Sequence, residues 1–588
     1  MPDQPSSFDP LIVLRDRILE ATKAILGEDA AGADAALHRS QHADYQADLA
    51  LALARRLKRN PRELATAIAD RLPPDETIAS VEVSGPGFIN ITLQASHLSA
   101  LVAQMRADGS GRLAVAPVVR AETVVVDYSG PNIAKEMHVG HLRSTVIGDC
   151  IARLLVWQGH HVIRRNHVGD WGTPFGMLIE HLLDESTAGV EAGVSELGGF
   201  YRAARAKFDG NPAFADRARR RVVLLQSGDV ETLALWRRLV DISVAHFSLL
   251  YQQLGVSLTA ADVVGESAYN GLLPDVVEEL TRKGLARESE GAMCVFPPGF
   301  TGREGDPVPL IIRKQEGGYG YATTDLAALR QRLGELGATR VIYCVGTPQT
   351  QHLAMVFATA RLAGWVKDDP ATGVATRLEH VNFGSVLGQD KKMLKTRAGD
   401  SVSLFELITE AVARAQQAVA EKSPELAAEE QARIAHAVGV GAIKYADMAN
   451  ERIKDYVFDW KRMLALEGNT APYLMYAHAR IHSILRKAGE AGAAPGTIVV
   501  EAAEERALAL ALVQLPGVLD RAAETLQPHR ICAFLYEVAG AFTSFYEACP
   551  VLKSEGPVRA SRLALCDVTA RTLAVGLDLL GIVAPTQM

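Results

Sequence analysis

The centre of the chain alternates short apolar runs with a helical pattern. Residues 124–128 form an apolar, β-branched run that Ser-Gly-Pro-Asn ends, and from residue 137 the apolar positions recur with helical periodicity. A second short run, residues 161–165, follows the helical segment. The pattern predicts a strand, a helix and a strand whose right-handed crossover places both strands in one parallel sheet. Ligands of such sheets bind at the carboxyl ends of the strands.

The segments on either side of this unit differ from it. The first part of the chain predicts a small α+β domain with two strands in residues 78–93 and amphipathic helices at residues 11–26, 44–57 and 61–72. Residues 185–260 are helical and polar, which predicts an insertion. Beyond residue 431 the chain is almost entirely helical. We therefore expect a small N-terminal domain, an α/β sheet domain and an all-α domain at residues 1–115, 116–430 and 431–588.

Length and composition describe an ordinary globular protein of several domains. The 588 residues exceed what one core fills, and 48% of them are hydrophobic while 22% are charged. The six cysteines form no C-x-x-C pair, which favours reduced thiols over a disulfide frame or a zinc ribbon. No basic segment followed by an apolar one begins the chain, and no apolar run is long enough for a membrane span. A cytoplasmic location without membrane contact is expected.

The acidic charge balance bears on possible partners. A formal net charge of −8 argues against a nucleic-acid partner on its own, because proteins that bind polyanions usually carry a basic surface. The local distribution matters more than the total. Basic residues cluster at 217–221 and at 391–397, and each cluster is either a solvated face or part of a binding surface.

Two histidines lie where the chain turns from strand to helix. Residues 138–141 read His-Val-Gly-His, and the unpaired backbone N–H groups and positive dipole of a helix start favour phosphate. The pattern makes a nucleotide site with His138 and His141 at the helix start the first hypothesis. In isolation, a surface histidine pair explains these residues equally well. Zinc is disfavoured, because there is no Glu-x-x-His pattern and no third ligand nearby.

The residues around the two histidines resemble those of a known protein family. His-Val-Gly-His resembles the H-x-G-H signature of class I aminoacyl-tRNA synthetases, and residues 129–135, 142–149 and 167–172 resemble the arginyl-tRNA synthetase family. The resemblance implies a Rossmann-like catalytic domain that uses ATP with Mg²⁺ and has no protein-bound metal. It also implies that His138 and His141 contact ATP phosphates and that Gly140 lets the adenine ring lie against the helix backbone. Adenylate formation in this family generally needs bound tRNA.

The same resemblance implies a pocket for arginine, with motifs at residues 319–325 and 347–349. The residues it implies are Asp127, Asn132, Tyr321, Asp325 and Gln349. A guanidinium presents five donors in a planar fork, so carboxylate and carbonyl oxygens should line its pocket. Tyr321 and Asp325 would face one pocket if a helix begins near residue 323 or 324, where a threonine is a suitable N-cap. Without the resemblance, a capped helix with an ordinary first-turn carboxylate explains the motif at residues 319–325.

A cationic loop follows the sheet region. Residues 391–397 read Lys-Lys-Met-Leu-Lys-Thr-Arg and occupy the place of the family's K-M-S-K-S loop, although the serine is absent. Such a loop stabilises the charge that builds on the leaving pyrophosphate. The resemblance implies that Lys392 and Lys395 contact ATP. It also implies that the catalytic charge comes from Lys395 or from Lys135, just ahead of the histidines.

Both terminal regions resemble tRNA-contacting parts of the family. Residues 85–91 match the additional N-terminal domain, and residues 467–480 match the helical anticodon-binding domain. The resemblance implies a monomeric enzyme whose partners are arginine, ATP and tRNA(Arg). Two alternatives stay open. One is a nucleotidylyl transferase that acts on a small acid without tRNA, and the other is a catalytically silent tRNA-binding paralogue, which the degenerate loop alone favours.

Overall fold

The computed structural model describes residues 9–172, 174–185, 197–315, 317–368, 373, 375–394 and 402–588. The chain divides into two compact units. The first unit holds Met1–Val119, Gln416–Ala449 and Arg462–Met588, and the second holds Arg120–Ala415 and Asn450–Lys461. This division changes from the second unit to the first within the helix Leu404–Lys422, whereas the sequence predicts the domain boundary near residue 430. A short segment, residues 450–461, belongs again to the second unit.

The first unit begins with a small α+β part. Its elements are α1 Pro10–Leu26, β1 Leu37–Arg39, β2 Tyr45–Ala47, α2 Leu49–Leu57, α3 Pro61–Ala69, β3 Ile78–Ser84, β4 Phe88–Leu93 and α4 Ala95–Ala107. The strands form an antiparallel sheet in the order β1-β2-β4-β3. The single helix expected over residues 44–57 is wrong at its start, because β2 pairs with β4 before the helix begins at Leu49.

The elements of the second unit follow in chain order. They are β5 Thr123–Asp127, α5 Val139–Gln158, β6 His161–Val168, α6 Pro174–Asp184, α7 Leu197–Gly210, α8 Pro212–Ser227, α9 Val230–Leu254, β7 Val263–Gly265, α10 Leu273–Arg282, β8 Ala286–Ser289, β9 Ala292–Val295, β10 Leu310–Arg313, α11 Tyr321–Gly334, β11 Arg340–Tyr343, α12 Thr350–Leu362, β12 Arg377–His380 and β13 Val386–Leu387. The predicted strand, helix and strand are confirmed by β5, α5 and β6.

The remaining chain is mainly helical, as expected. Its elements are α13 Leu404–Lys422, α14 Ala428–Met448, β14 Tyr456–Val457, α15 Trp460–Met463, α16 Ala471–Glu490, α17 Ala503–Leu512, α18 Leu515–Thr525, α19 His529–Ala548 and α20 Gly556–Leu579. The short strand β14 pairs in parallel with β13, so both belong to the second unit. None of the helices in the described ranges is long and apolar enough to cross a bilayer.

Five parallel strands form the main sheet in the order β12-β11-β5-β6-β7. Val124, Val125 and Val126 are fully buried in β5, as a central parallel strand requires. Strands that follow β5 along the chain lie first on one side of it and then on the other. The order therefore reverses between β5 and β11, and such a switch point opens a ligand crevice at the carboxyl ends. Asp127 and Tyr343 end these two strands as register partners.

Two other features of the second unit differ from a simple parallel fold. Strands β8, β9 and β10 form a separate antiparallel sheet, so β10 lies outside the main sheet although it directly precedes the segment that leads into α11. Helices α7, α8 and α9 supply the expected insertion, and residues 186–196 of that insertion lie outside the described residues. Arg217 and Arg221 both donate to the buried Glu180, at 2.9 and 2.7 Å. Two of the four arginines in residues 217–221 therefore form ion pairs that join α8 to α6.

Arginine contacts join the α+β part of the first unit to its helical bundle. Arg506 Nε donates to Asp44 Oδ1 at 2.9 Å, and Arg506 Nη2 donates to the other carboxylate oxygen. Arg571 donates to the carbonyl oxygens of Arg106 and Asp108, both at 2.7 Å. The two ends of the chain are thus packed together as one unit.

Candidate active site

His138 and His141 lie at the start of α5, as the sequence predicts. His138 is the N-cap residue, and its Nδ1 accepts a hydrogen bond from Gly140 N at 3.1 Å; His141 Nδ1 accepts one from His138 N at 3.2 Å. Because each Nδ1 is an acceptor, each neutral imidazole carries its proton on Nε2. The backbone amides of Val139, Gly140 and His141 already have acceptors, so the Nε2–H groups of the two imidazoles are the donors that this helix start offers. Two such donors at the positive end of a helix dipole suit phosphate oxygens.

Both imidazoles are held in the neutral form. Burial and the charge of Lys135 lower the pKa of His138. Burial, followed by the charges of His138 and Lys135, lowers the pKa of His141 to about 4. The histidines therefore act as hydrogen-bond donors at neutral pH, and positive charge for the phosphates has to come from lysine.

Close approach requires glycine at two points of this site. A Cβ at Gly140 would lie 2.8 Å from His138 Cε1, and a Cβ at Gly169 would lie 2.3 Å from Asn132 Oδ1. The second contact belongs to a short pairing in which Ile133 N donates to Gly169 O at 3.0 Å. The loop ahead of the histidines is thereby fixed to the end of β6, which places Asn132 at the crevice.

Asp127 ends β5 and carries an internal partner. Arg332 Nη2 donates to Asp127 Oδ2 at 2.6 Å, and the Arg332 side chain is fully buried. His167 Nδ1 lies 4.0 Å from the same oxygen, and the Arg332 guanidinium lies 4.9 Å from the centre of the Tyr343 ring. Arg332 thus compensates the charge of Asp127. The expected contact between Asp127 and substrate arginine stays a prediction.

Tyr321 and Asp325 lie at the start of α11, one helical turn apart and so on one face. Tyr321 is 77% exposed, whereas Asp325 is partly buried and accepts a hydrogen bond from His352 at 2.6 Å. The helix begins earlier than expected, since Gly320 is its N-cap and the Thr323 hydroxyl donates to a carbonyl of β10. The predicted threonine cap at residue 323 or 324 is therefore wrong, although the shared face of Tyr321 and Asp325 does not depend on it.

Glu266 is a further carboxylate of the crevice, and the sequence does not predict it as a site residue. It follows β7 directly and so lies at the carboxyl end of a sheet strand. Burial, followed by the charges of Asp170 and Asp325, raises the pKa of Glu266 to about 7. Negative charge is crowded here, and a bound guanidinium would relieve it. The only sequence signal is a carboxylate after Val-Val-Gly, and a three-residue strand is too short to be recognised from its pattern.

All five residues implied for the arginine pocket lie on segments that end at this edge of the sheet. Asp127 and Asn132 follow β5, Tyr321 and Asp325 begin α11, and the exposed Gln349 immediately precedes α12. The parallel order of the strands brings these segments together although they are more than 200 residues apart in places. Their contacts with arginine stay predictions.

The lysines lie on two flanks of the histidines. Lys135 is exposed, and its Nζ lies 4.8 Å from the centre of the Tyr201 ring in α7. Lys392 is exposed on the loop that follows β13. Lys395 lies outside the described residues, with the rest of the loop through residue 401.

The chain beyond this loop returns to the histidine motif. Val139 N donates to Val402 O at 2.9 Å, and Leu404 N donates to Met137 O at 2.9 Å. The Ser403 hydroxyl also donates to Glu136. The segment that follows the cationic loop is therefore hydrogen-bonded to the residues on either side of His138.

The parallel sheet with its switch point, and the helix start with two N–H donors, are typical of an α/β nucleotide-binding protein, and carboxylates lie at the same edge of the sheet. Comparison with known families agrees with that class. Residues 109–460 match "tRNA synthetases class I (R), catalytic domain", residues 474–588 match "DALR anticodon binding domain", and residues 13–93 match "Arginyl tRNA synthetase N terminal domain".

Individual relatives cover the chain from end to end. The chain is 53% identical to an arginine–tRNA ligase of Thermobifida fusca, over 99% of this chain and 100% of the relative. It is similar to the solved arginyl-tRNA synthetase of Thermus thermophilus, with a TM-score of 0.82, 28% identity and coverage of 98% and 100% of the two chains. The structure from Plasmodium falciparum gives a TM-score of 0.82 at 26% identity, with 100% of both chains covered. The chain belongs to the arginyl-tRNA synthetase family.

Proposed function

We propose that this chain activates L-arginine with MgATP and transfers the arginyl group to tRNA(Arg). In the first step a carboxylate oxygen of arginine attacks the α-phosphorus of ATP, which forms arginyl-adenylate and releases pyrophosphate. In the second step a hydroxyl of the 3′-terminal ribose attacks the carbonyl carbon, and AMP leaves. Both steps depend on positioning and charge stabilisation, so no protein nucleophile is needed.

One observation carries the proposal: a pair of N–H donors and a group of carboxyl side chains lie at the same edge of one sheet. His138 and His141 supply Nε2 donors at the start of α5. Asp325 and Glu266 supply carboxyl oxygens at the ends of other segments of the same crevice, and the raised pKa of Glu266, about 7, reflects the negative charge around it. ATP phosphates need donors and a guanidinium needs acceptors, so the crevice suits both substrates.

We assign the guanidinium to Asp325, with Glu266 as a second carboxylate. The exposed ring of Tyr321 offers a face on which the planar guanidinium stacks. Asn132 and Gln349 offer side-chain amides to the end of arginine that carries its amino and carboxylate groups. Asp127 has its charge held by Arg332, so in this proposal it shapes the floor of the pocket and contributes through its remaining lone pairs.

In this proposal lysines stabilise the negative charge that builds on the leaving pyrophosphate. Lys392 and Lys395 belong to the cationic loop, and Lys135 lies three residues ahead of His138. Lys135 would leave the Tyr201 ring in order to reach a phosphate. A cation–π contact at an exposed site is worth only about 0.5–1 kcal/mol, so a triphosphate can displace it.

The helical bundle of the first unit carries a surface suited to unpaired bases. Tyr473 and Tyr536 are in edge contact at 5.7 Å, and the Arg480 guanidinium lies 4.2 Å from the centre of the Tyr546 ring. Tyr476, on the same helix as Tyr473 and Arg480, is 45% exposed. Exposed aromatic rings beside arginine stack bases without regard to sequence. We propose that this surface receives anticodon bases of tRNA(Arg), and the monomeric, cytoplasmic state of the enzyme stays a prediction.

Charging of tRNA(Arg) with labelled arginine tests the proposed function. His138→Leu and His141→Leu should each lower kcat by roughly 10²–10³, the usual effect of losing one donor to a developing anion. His436→Leu, on the exposed face of α14, is the matched control and should charge normally. Undiminished charging by both site variants would contradict the assignment. Adenylate formation without charging would favour a nucleotidylyl transferase, and tRNA binding without either reaction would favour the silent paralogue.

A further inference from the structure

His352 and Asp325 form a side-chain pair between two helix starts at the crevice. His352 Nε2 lies 2.6 Å from Asp325 Oδ2, and the two side chains are 27% and 23% exposed. His352 belongs to the first turn of α12, and Asp325 belongs to the second turn of α11. Within the described ranges, Oδ1 of Asp325 has no protein hydrogen-bond partner. His352 therefore holds one oxygen of this partly exposed carboxylate, and the other is left for a ligand.

The kind of partner matters for the charge of the pocket. Asp127 is held by the guanidinium of Arg332, which offsets its negative charge. Asp325 is held by an imidazole, whose Nε2–H donates to Oδ2 and orients the carboxylate. Asp127 and Asp325 thus differ in their partners: a fully buried guanidinium holds the first, and a partly exposed imidazole holds the second.

We infer that His352 is a positioning residue that fixes the Asp325 carboxylate and presents its Oδ1 to the guanidinium of arginine. The inference rests on the proposed function, in which Asp325 binds that guanidinium. A side-chain carboxylate rotates readily about its last bond, whose torsional wells are broad. A single well-aligned donor removes this freedom before the substrate arrives, and pre-organisation of this kind improves binding because less order has to be created on association.

The proposal distinguishes between two amides that could replace the imidazole. The amide nitrogen of glutamine reaches the position of His352 Nε2, whereas that of asparagine reaches only the position of Nδ1. His352→Gln should therefore preserve the bond to Asp325, and His352→Asn and His352→Leu should lose it. We expect the last two variants to raise the arginine KM about tenfold, the value of one hydrogen bond to a charged group. The KM for ATP and the kcat should change less than twofold in all three.

The experiment is arginine-dependent ATP–pyrophosphate exchange in the presence of tRNA(Arg), with arginine and ATP varied separately. His380→Leu is the matched control, because His380 Nε2 also bonds an oxygen in the same unit, the Val345 carbonyl at 2.9 Å. It should leave the arginine KM unchanged. Asp325→Asn is measured alongside and should raise the arginine KM at least as much as His352→Asn.

Each outcome decides one of the two claims. An unchanged arginine KM in Asp325→Asn overturns the proposed arginine site itself. A raised KM in Asp325→Asn together with an unchanged KM in His352→Asn overturns only the role of His352. Equal loss in His352→Gln and His352→Asn also overturns it, since a purely structural histidine would not discriminate between amides. If His352→Leu does not fold, the two polar variants still carry the test.

Discussion

Arg332 donates from Nη2 to Asp127 Oδ2 at 2.6 Å, and their side chains are 0% and 10% exposed. The pair connects α11 to the end of β5, one of the two strands that border the switch point of the sheet. Removal of one member of a buried ion pair leaves an unpaired charge out of water, which is strongly unfavourable. The relationship therefore stabilises the floor of the crevice as well as compensating Asp127.

Arg332→Met should lower the free energy of unfolding of the second unit by about 3–5 kcal/mol. The double variant Arg332→Met with Asp127→Asn should recover much of that loss, because no buried charge is left unpaired. Urea unfolding followed by tryptophan fluorescence measures this directly, since all five tryptophans, at positions 157, 171, 236, 365 and 460, lie in the second unit. If the double variant lost as much stability as the two single variants lose together, the pairing of Arg332 with Asp127 would be contradicted.

Gly140→Ala should reduce activity with little effect on folding. The added Cβ would lie 2.8 Å from His138 Cε1, so the ring must turn and its Nε2 donor moves away from the phosphate. We expect kcat for charging to fall by at least tenfold, toward the 10²–10³ typical of a lost donor. Gly540→Ala, inside α19 with no atom within 4 Å of the added Cβ, is the control and should gain roughly 0.5–1 kcal/mol of stability. Equal activity of the two variants would exclude the steric argument.

The low pKa of His141 gives the stability of the second unit a pH dependence of known sign. The folded pKa is about 4 against an ordinary 6.5, so between these values the unfolded chain binds a proton that the folded chain refuses. Stability is therefore lost as pH falls from 6.5 toward 4 and is unaffected by this group above that window. At about 1.36 kcal/mol per pKa unit, the loss is on the order of 3 kcal/mol.

Comparison with His141→Gln isolates this contribution. Glu266, whose raised pKa acts in the opposite direction, is present in both proteins and cancels in the difference. The wild-type stability minus that of the variant, measured by tryptophan fluorescence in urea, should decrease steadily below pH 6.5. A difference that stays flat down to pH 4 would show that His141 titrates normally.

The sequence predicts the parts of this site that depend on local pattern. The β-branched run before Asp127 and the helix after His138 mark a strand end and a helix start, and the parallel fold follows from their order. The start of α11 is mispredicted because Thr323 bonds to a distant strand rather than to its own helix. Arg332, Glu266 and His352 could not be recognised, since their partners are brought to them only by the sheet.

Arg506→Met should destabilise the first unit by about 2–5 kcal/mol, because Asp44 would remain buried without its charged partner. Tryptophan fluorescence should not report the change, since the first unit contains no tryptophan; far-UV circular dichroism should. Arg521→Met is the matched control. Its ion pair with Glu524 is 59% and 66% exposed, so the expected loss is at most about 1 kcal/mol. A larger effect in the control would reverse the ranking of the two contacts.

Arginine-dependent ATP–pyrophosphate exchange, run with and without tRNA(Arg), tests the central claim most directly. We predict exchange that requires arginine, is not supported by lysine and appears with tRNA(Arg) present. In Asp325→Asn the arginine KM should rise about 10- to 150-fold, the effect of losing a charge-assisted hydrogen bond of about 1.5–3 kcal/mol. Absence of arginine-dependent exchange in a protein that still binds tRNA(Arg) would contradict the account and identify the chain as a silent relative of the enzyme.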